Sequence, residues 1–146
     1  MSSIKDLFPL MEEAFNNNLK FELPVNGTSM LPLLHTGDYV LLESIKTAKI
    51  KKRDVVFYKR ESGQYVLHRI HKKRGNNLIM LGDNQLNKEI LNENLVIAKM
   101  VGYTRNDKFV SIKSFKYRLY SFVWNIYPLR FLIMKVKWAL SRRIKK

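Results

Sequence analysis

The sequence contains no cysteine, and its three histidines are scattered along 146 residues. Without thiols the chain can form neither a disulfide framework nor a Cys-based metal site, and isolated histidines do not make a ligand cluster. We therefore expect no metal and no other cofactor. There is also no internal repeat, low-complexity tract or flexible linker, so the length and the 46% content of apolar residues predict one compact globular domain.

Residues 1–20 lack the apolar core of a secretory signal and contain no stretch long enough to anchor in a membrane. They carry apolar side chains at helical spacing instead, at Ile4, Leu7, Met11 and Phe15. This spacing predicts a short amphipathic helix that ends at the run of asparagines after it. We expect neither an export leader nor an amino-terminal anchor.

Acidic residues are missing after Asp107, whereas 11 of the 27 lysines and arginines lie from Lys108 onward. Residues 113–146 combine this charge with apolar residues at helical spacing, interrupted at Pro128, and with aromatic rings such as Trp124. The pattern predicts two basic amphipathic helices. Together with the net charge of +15, it indicates an anionic neighbour.

The chemistry of residues 113–146 suits the surface of an anionic bilayer. It does not suit a membrane span, because each charge near the bilayer centre costs roughly 2.5–3.5 kcal/mol. Helices packed on the domain with a solvated basic face are the alternative. No nucleic-acid-binding motif accompanies the charge, so we expect no nucleic-acid partner and a location that is peripheral to a membrane or cytoplasmic.

The segment with the clearest chemical meaning spans residues 25–38 and reads VNGTSMLPLLHTGD. Gly27 stands two residues before Ser29, where it permits a sharp turn that presents the serine hydroxyl and nearby N–H groups to a bound carbonyl. Met30 and Pro32 anchor and stiffen the exit from this turn. The arrangement is typical of a nucleophilic serine, with a plain loop between two strands as the alternative.

A serine hydroxyl becomes a good nucleophile only when a neighbouring base takes its proton. His68 lies in the segment QYVLHRI, whose alternation places it on one strand face with Val66 and Ile70. Desolvation there holds the imidazole pKa near or below neutrality, and activity is expected to rise with an apparent pKa around 6 to 7. A half-buried structural histidine is the alternative. His35 and His71 are expected to be solvated.

The centre of the chain is rich in strand patterns. Apolar or alternating runs bounded by turn residues predict seven strands, at 21–25, 38–43, 55–59, 65–70, 78–81, 95–103 and 109–112. We therefore expect a mainly β, largely antiparallel domain over residues 21–112. One helix in residues 1–20 precedes it, and two helices in residues 113–146 follow it.

Four boxes follow one another in order: GTSMLP with a later Gly-Asp pair, Asp54-Val55-Val56, His68-Arg69-Ile70 and Gly82-Asp83-Asn84. Over about residues 25–103 this set resembles the signal peptidase I superfamily of S24/S26-type serine peptidases, which includes the self-cleaving repressors of the SOS response. Bacterial members use a lysine base, whereas the endoplasmic-reticulum and archaeal-type enzymes carry His-Arg at that position. The resemblance implies a coiled or barrel-like sheet and a Ser-His enzyme.

Two departures from the family pattern concern backbone turns. Arg53 stands before Asp54 where the family often has glycine, so this turn is expected to be remodelled. Gly27 stands where signal peptidases place a serine hydroxyl that helps to hold the oxyanion. The resemblance then leaves the Ser29 N–H as the expected oxyanion donor, with Thr28 as a less favoured contributor.

The acid that orients His68 stays open at the level of the sequence. Asp83 lies in the better-matched box and is favoured on that ground, with a capping role in its own loop as the alternative. Glu89, which follows Lys88, aligns with the second acid of the histidine-type enzymes. A dyad without any acid is the third arrangement.

The site residues predict hydrolysis of a peptide bond through an acyl-enzyme, with His68 as base and Ser29 as nucleophile. The strand around Leu23, Pro24 and Val25 is expected to pair with an extended substrate. By resemblance, we expect cleavage after small residues of a leader or signal segment in a peptide or preprotein. A catalytically inactive membrane- or peptide-binding protein of the same fold is the alternative. A repressor would need a DNA-binding domain, for which the roughly 20 residues before the first strand are too few.

Overall fold

The structure, a computed structural model, describes residues 4–144. Within this range the chain forms three α-helices, eight strands and one short 3-10 turn at Glu93–Leu95. In chain order they are α1 (Ile4–Asn16), β1 (Phe21–Pro24), β2 (Tyr39–Ser44), β3 (Val55–Lys59), β4 (Tyr65–Arg74), β5 (Asn77–Leu81), β6 (Glu89–Asn92), β7 (Val96–Arg105), β8 (Lys108–Ser111), α2 (Phe115–Trp124) and α3 (Tyr127–Ile144).

The strands form one antiparallel sheet that is not closed into a barrel. Its order is β1-β2-β7-β3-β4-β5-β6, and β8 pairs with β7 beside this path. The prediction of a mainly β antiparallel fold is therefore confirmed, and all seven predicted strands are present. The strand β6 was not predicted. Its residue Ile90 is 76% exposed while its neighbour Leu91 is buried, so four residues give neither an apolar run nor a clear alternation.

The strand β3 lies between two apolar clusters and is buried on both faces. Val55 and Phe57 pack with α1, β1 and β2, whereas Val56 and Tyr58 pack with β4 and β5. This explains why β3 reads as a continuous apolar run rather than an alternation. The second face matters for function, because the Tyr58 side chain extends from it toward the candidate active site.

The helix α1 covers the first cluster with Met11 and Phe15, as its predicted amphipathic spacing requires. The two carboxyl-terminal helices are also confirmed. Ser114 caps α2 by accepting a hydrogen bond from the Tyr117 N–H at 3.3 Å. Pro128 does not break a helix but stands in the first turn of α3, where its missing N–H costs no intrahelical hydrogen bond. Within residues 4–144, no helix is both long enough and apolar enough to cross a bilayer. The last residues of the predicted tail, 145 and 146, lie outside the described part.

The prediction about one histidine is corrected. His71 is buried rather than solvated, because a register shift in the β4–β5 pairing and the Asn125 side chain, 3.1 Å from its Nδ1, place it under the α2–α3 connection. Arg53 adopts φ of +77°, the left-handed conformation that favours glycine, and its guanidinium lies 5.6 Å from the Phe122 ring centroid. The remodelling of this turn relative to the family stays a prediction.

Candidate active site

The loop that carries Ser29 is closed at its base by hydrogen bonds. The Val25 N–H donates to the Asp38 carbonyl oxygen at 2.8 Å. Arg105 in turn holds the Asp38 carboxylate, with 2.7 Å between its Nη2 and Oδ2. Gly27 has φ of +95°, a left-handed conformation that favours glycine. The chain therefore turns sharply just before Ser29, as the sequence predicts.

The 82–84 loop supports the backbone of the serine turn from the opposite side. The Asn84 N–H donates to the Ser29 carbonyl oxygen at 2.9 Å, and Asn84 Nδ2 donates to the Thr28 carbonyl oxygen at 3.1 Å. A Cβ on Gly82 would lie 2.8 Å from the Ser29 carbonyl oxygen, so only glycine allows this approach. The first and fourth sequence boxes are therefore one structural unit.

Ser29 and His68 line the same cleft, which has a volume of about 270 Å³. The predicted substrate strand, Leu23, Pro24 and Val25, forms one wall. The other lining side chains are mostly apolar and include Met30, Val40, Phe57, Val66 and Leu67. The structure thus brings together the predicted nucleophile, the predicted base and the strand predicted to bind substrate.

A second cleft of about 570 Å³ adjoins the first at His68. The two clefts share Arg60 and Gln85, and the second is bounded by the 84–89 loop and by Trp138 of α3. The imidazole therefore stands between one recess on the β1 side and a second recess on the α3 side.

The tautomer of His68 follows from its partners. Its Nδ1 lies 3.2 Å from the Tyr58 hydroxyl and 3.9 Å from Glu89 Oε1. The Tyr58 hydroxyl donates its single proton to the Glu89 carboxylate, so its oxygen accepts from Nδ1–H. The lone pair is then on Nε2, to which no residue within 4–144 makes a hydrogen bond.

Glu89 is fixed by two donors. Arg60 Nε lies 3.1 Å from Oε2 and its Nη2 lies 3.1 Å from Oε1, while Tyr58 donates to Oε1. Partial burial works to raise the pKa of Glu89, but these hydrogen bonds outweigh it and hold the pKa below its usual value. Burial and Glu89 together raise the pKa of Tyr58. The pair therefore consists of a carboxylate and a protonated phenol.

Burial dominates the titration of His68. The side chain is only 5% exposed, and desolvation lowers its pKa from 6.5 to about 4, against a smaller opposing effect of the Glu89 charge. The predicted direction, below neutrality, is correct, but the value is lower than the range expected from the sequence. His68 is a neutral imidazole near pH 7, as a general base must be.

Asp83 is directed away from His68. It is fully buried and forms two hydrogen bonds with Arg69, of 2.8 Å from Nε to Oδ1 and 2.9 Å from Nη2 to Oδ2. Tyr120 donates to Oδ2 at 2.8 Å, and the Asp83 N–H donates to the sulfur of buried Met30 at 3.4 Å. No ion pair within residues 4–144 joins Asp83 to the imidazole. Asp83, the acid favoured on sequence grounds, therefore helps to fix the 82–84 loop and does not contact His68.

The helices α2 and α3 reach the same loop from the far side. Trp124 Nε1 donates to the Asp83 carbonyl oxygen at 2.7 Å. Arg130 is only 1% exposed, and its Nη2 contacts the carbonyl oxygens of Gly82, Asp83 and Gln85 at 2.7, 2.8 and 2.7 Å. We refer to Tyr120, Trp124 and Arg130 as the helical support of the loop.

Sequence reasoning missed Tyr58, Arg60 and the helical support. A signal for Tyr58 was present, because a short β3–β4 hairpin sets Val56 opposite His68 and Tyr58 opposite Val66, on one sheet face. Residues 4–144 contain no cluster of three or more His, Asp or Glu side chains that could hold a metal ion.

Comparison with known protein families identifies the family of the chain. The Peptidase S24-like family matches residues 1–102, a range that includes Ser29, His68 and Glu89. No curated protein is significantly similar to the chain. At the level of the family this is a serine-peptidase-type fold and a peptidase-type hydrolase, and the family also includes self-cleaving repressors. Because the match covers well over half of its residues, the chain belongs to the Peptidase S24-like family.

Proposed function

We propose that the protein is a serine endopeptidase that removes a leader or signal segment from a peptide or preprotein. The observation that carries the proposal is that Ser29 and His68 line the same cleft, while the imidazole Nδ1 is hydrogen-bonded to the Tyr58 hydroxyl. The lone pair on Nε2 is then the one that can accept the proton of a serine.

The proposed reaction runs through an acyl-enzyme. His68 Nε2 takes the proton of Ser29 Oγ as this oxygen attacks the scissile carbonyl carbon, and the carbonyl π electrons move to the oxygen. The C–N bond then breaks, and the imidazolium gives its proton to the leaving amine. Water attacks the ester, again losing a proton to Nε2, and the carboxylic acid leaves as Ser29 regains its hydrogen.

Glu89 acts in this scheme as the orienting acid, through Tyr58. A buried imidazole is a weak base, and it becomes charged only during the reaction. The Glu89 carboxylate, 3.9 Å from Nδ1, favours that charge, and the Tyr58 hydroxyl keeps the ring in the correct tautomer. This assigns to Glu89 and Tyr58 together the role that one aspartate has in a simple triad.

The oxyanion is proposed to bind at backbone donors of the serine turn. The Ser29 N–H makes no hydrogen bond to any residue within 4–144, and the 82–84 loop holds the turn rigidly by the Ser29 and Thr28 carbonyl groups. Preorganised donors of this kind stabilise charge that develops in the transition state. Gly27 supplies no hydroxyl there, so we assign the role to the main chain.

Substrate is proposed to lie extended along β1. This strand ends the sheet order and pairs only with β2 among the described strands, while Leu23, Pro24 and Val25 face the cleft. An added strand would gain main-chain hydrogen bonds, and its side chains would enter the small apolar recess. The limited volume and apolar lining favour small apolar residues before the scissile bond.

The test is incubation of the purified full chain with a panel of leader-bearing peptides, followed by mass spectrometry. We expect cleavage after small residues by the natural protein and none by Ser29→Ala. Ser62→Ala is the matched control, since this exposed serine lies in the β3–β4 turn and should leave turnover unchanged.

Three outcomes would count against the proposal. Cleavage by Ser29→Ala at the natural rate would assign the activity to another group. Binding of peptides without any cleavage would favour the inactive binding protein. Cleavage of the chain itself, with all added peptides left intact, would favour a repressor-like reaction in cis.

A further inference from the structure

The helix α2 has one face buried against the domain, an exposed apolar stripe on the opposite side, and basic residues on both sides of this stripe. Tyr117, Ser121 and Trp124 are buried against the domain. On the opposite side, Phe115, Leu119 and Phe122 are 80%, 53% and 55% exposed, and they follow one another at helical spacing. The exposed basic residues Lys116 and Arg118 flank this apolar stripe. Packing on the domain therefore does not use up the apolar side chains of the helix.

A basic cleft of about 740 Å³ adjoins the stripe. Its lining combines the 51–54 turn of the β domain with the start of α2, and Phe115 and Leu119 stand within it. The cations that line it are Lys51, Lys52, Arg53, Lys99, Lys113 and Arg118, against the single acid Asp54. Asp54 Oδ2 forms an ion pair with Lys99 Nζ at 3.2 Å. No other ion pair within residues 4–144 neutralises this cluster of cations.

The helix α3 repeats the pattern. Arg130 and Met134 face the domain, whereas an apolar row at helical spacing remains exposed, formed by Leu129, Leu132, Ile133, Val136 and Leu140. Exposed apolar side chains in contiguous rows mark interaction surfaces on a folded protein. The helix α2 thus presents its apolar row next to unneutralised positive charge, and α3 presents a second apolar row.

We propose that the exposed row of α2, the adjoining basic cleft and the exposed row of α3 form one docking surface for an anionic lipid bilayer. The charge is complementary to acidic headgroups, and the apolar rows can enter the acyl boundary beside them. A nucleic acid would satisfy the cations but would leave the apolar rows in water. The proposal stands on this surface alone and does not depend on catalysis by Ser29.

The test uses the full chain, because truncation before α2 would uncover buried core side chains and remove the helical support. Co-sedimentation is measured with vesicles of phosphatidylcholine, with and without phosphatidylglycerol, at low and high salt. We expect binding to the anionic vesicles that weakens with salt without vanishing, since the apolar contribution is unscreened. Binding to pure phosphatidylcholine should be much weaker.

Two pairs of variants separate charge from apolar insertion. Lys51→Gln with Lys52→Gln should weaken binding at low salt by about fivefold for each charge. Its matched control is Lys20→Gln with Lys46→Gln, two exposed lysines elsewhere in the chain. Phe115→Ser with Leu119→Ser should weaken binding by at least about tenfold and make the remainder more salt-sensitive, since the apolar row of α3 is still present. Its control is Ile90→Ser, which removes an exposed apolar residue from β6.

The proposal is overturned if the natural protein does not sediment with anionic vesicles, or if the control variants lose as much binding as the surface variants. It is also overturned if a DNA duplex competes fully with the vesicles and the apolar variants bind like the natural protein. That result would identify a nucleic-acid surface instead.

Discussion

The β domain and the helices α2 and α3 contribute to the candidate active site in opposite ways. The β domain supplies every group that touches the proposed reaction, including Ser29, His68 and their partners. The helices supply none of these groups, but Trp124 and Arg130 hold the 82–85 backbone to which the serine turn is bound, and Tyr120 donates to the Asp83 carboxylate. The family match ends at residue 102, before α2 begins. In this chain, therefore, the residues of the proposed chemistry lie in the part shared with the family, and support for them comes partly from outside it.

The largest effect should come from the reacting pair. Ser29→Ala and His68→Ala should each lower kcat/KM by about 10⁴-fold or more, and the double variant should be no worse, because the two residues act as a unit. Peptide cleavage followed by mass spectrometry measures the rate, and circular dichroism checks that each variant is folded. Additive losses in the double variant would argue against a dyad.

Substitutions of the two acids should change different quantities: that of Asp83 the free energy of unfolding, and that of Glu89 kcat. Asp83→Asn leaves the fully buried Arg69 without its charged partner, and breaking a buried pair in this way costs about 3–5 kcal/mol of unfolding free energy. Glu89→Gln should instead leave stability nearly unchanged and reduce kcat about tenfold or more, with Tyr58→Phe behaving similarly.

Denaturant unfolding and kcat, measured on the same samples, check this separation. A stable Asp83→Asn protein with a large catalytic defect would return the orienting role to Asp83. Equal, small effects of both substitutions on kcat would indicate a dyad without an acid.

Substitution of Arg130, a residue of the helical support, should lower kcat although Arg130 does not line the cleft that contains Ser29. Arg130→Met removes the donor for three carbonyl oxygens, where hydrogen bonds to a charged group contribute about 1.5–3 kcal/mol each. We expect lower stability and, in the folded enzyme, about a tenfold lower kcat with a smaller change in KM.

Lys137→Met is the matched control for Arg130→Met, since it removes an exposed cation from the same helix. Rates should be measured well below the unfolding temperature of the variant. A folded Arg130→Met enzyme with natural kcat would confine Arg130 to a purely structural role.

The smallest effect concerns pH. Because His68 must be neutral to act as base, and its pKa is lowered to about 4, kcat/KM should persist below pH 6 and fall as the pH drops through about 4. Glu89 raises this pKa, so Glu89→Gln should move the acid limb to still lower pH. An acid limb centred at the ordinary histidine value would contradict the buried imidazole.

Unfolding must be followed in parallel with the pH profile. The unfolded chain takes up a proton on His68 below about 6.5, whereas the folded chain does so only near 4, so stability declines as the pH falls through this window. Circular dichroism at each pH separates loss of the base from loss of the fold.

Local patterns were sufficient to predict seven of the eight strands, the sharp turn at Gly27 and the strand position of His68. They were insufficient where a site depends on register or on distant packing. Tyr58 reaches Glu89 across 31 positions, and Arg130 reaches Gln85 across 45. The spacing of apolar residues predicted that α2 and α3 are amphipathic helices, but it did not predict which face of each helix packs on the domain. Its motif favoured Asp83 as the acid that orients His68, yet only the tertiary structure shows that its carboxylate is paired with Arg69.

The contacts of Arg130 also have a consequence for the order in which the protein is made. Synthesis proceeds from the amino terminus, so the strands and the 82–85 loop emerge before the guanidinium that binds this loop. Until α3 follows and docks, the carbonyl groups of the loop lack this donor, and the serine turn lacks its support from behind. A nascent chain would therefore carry Ser29 and His68 in an incompletely braced state, and the proposed cleavage would be slower until α3 had folded, as it is expected to be in Arg130→Met.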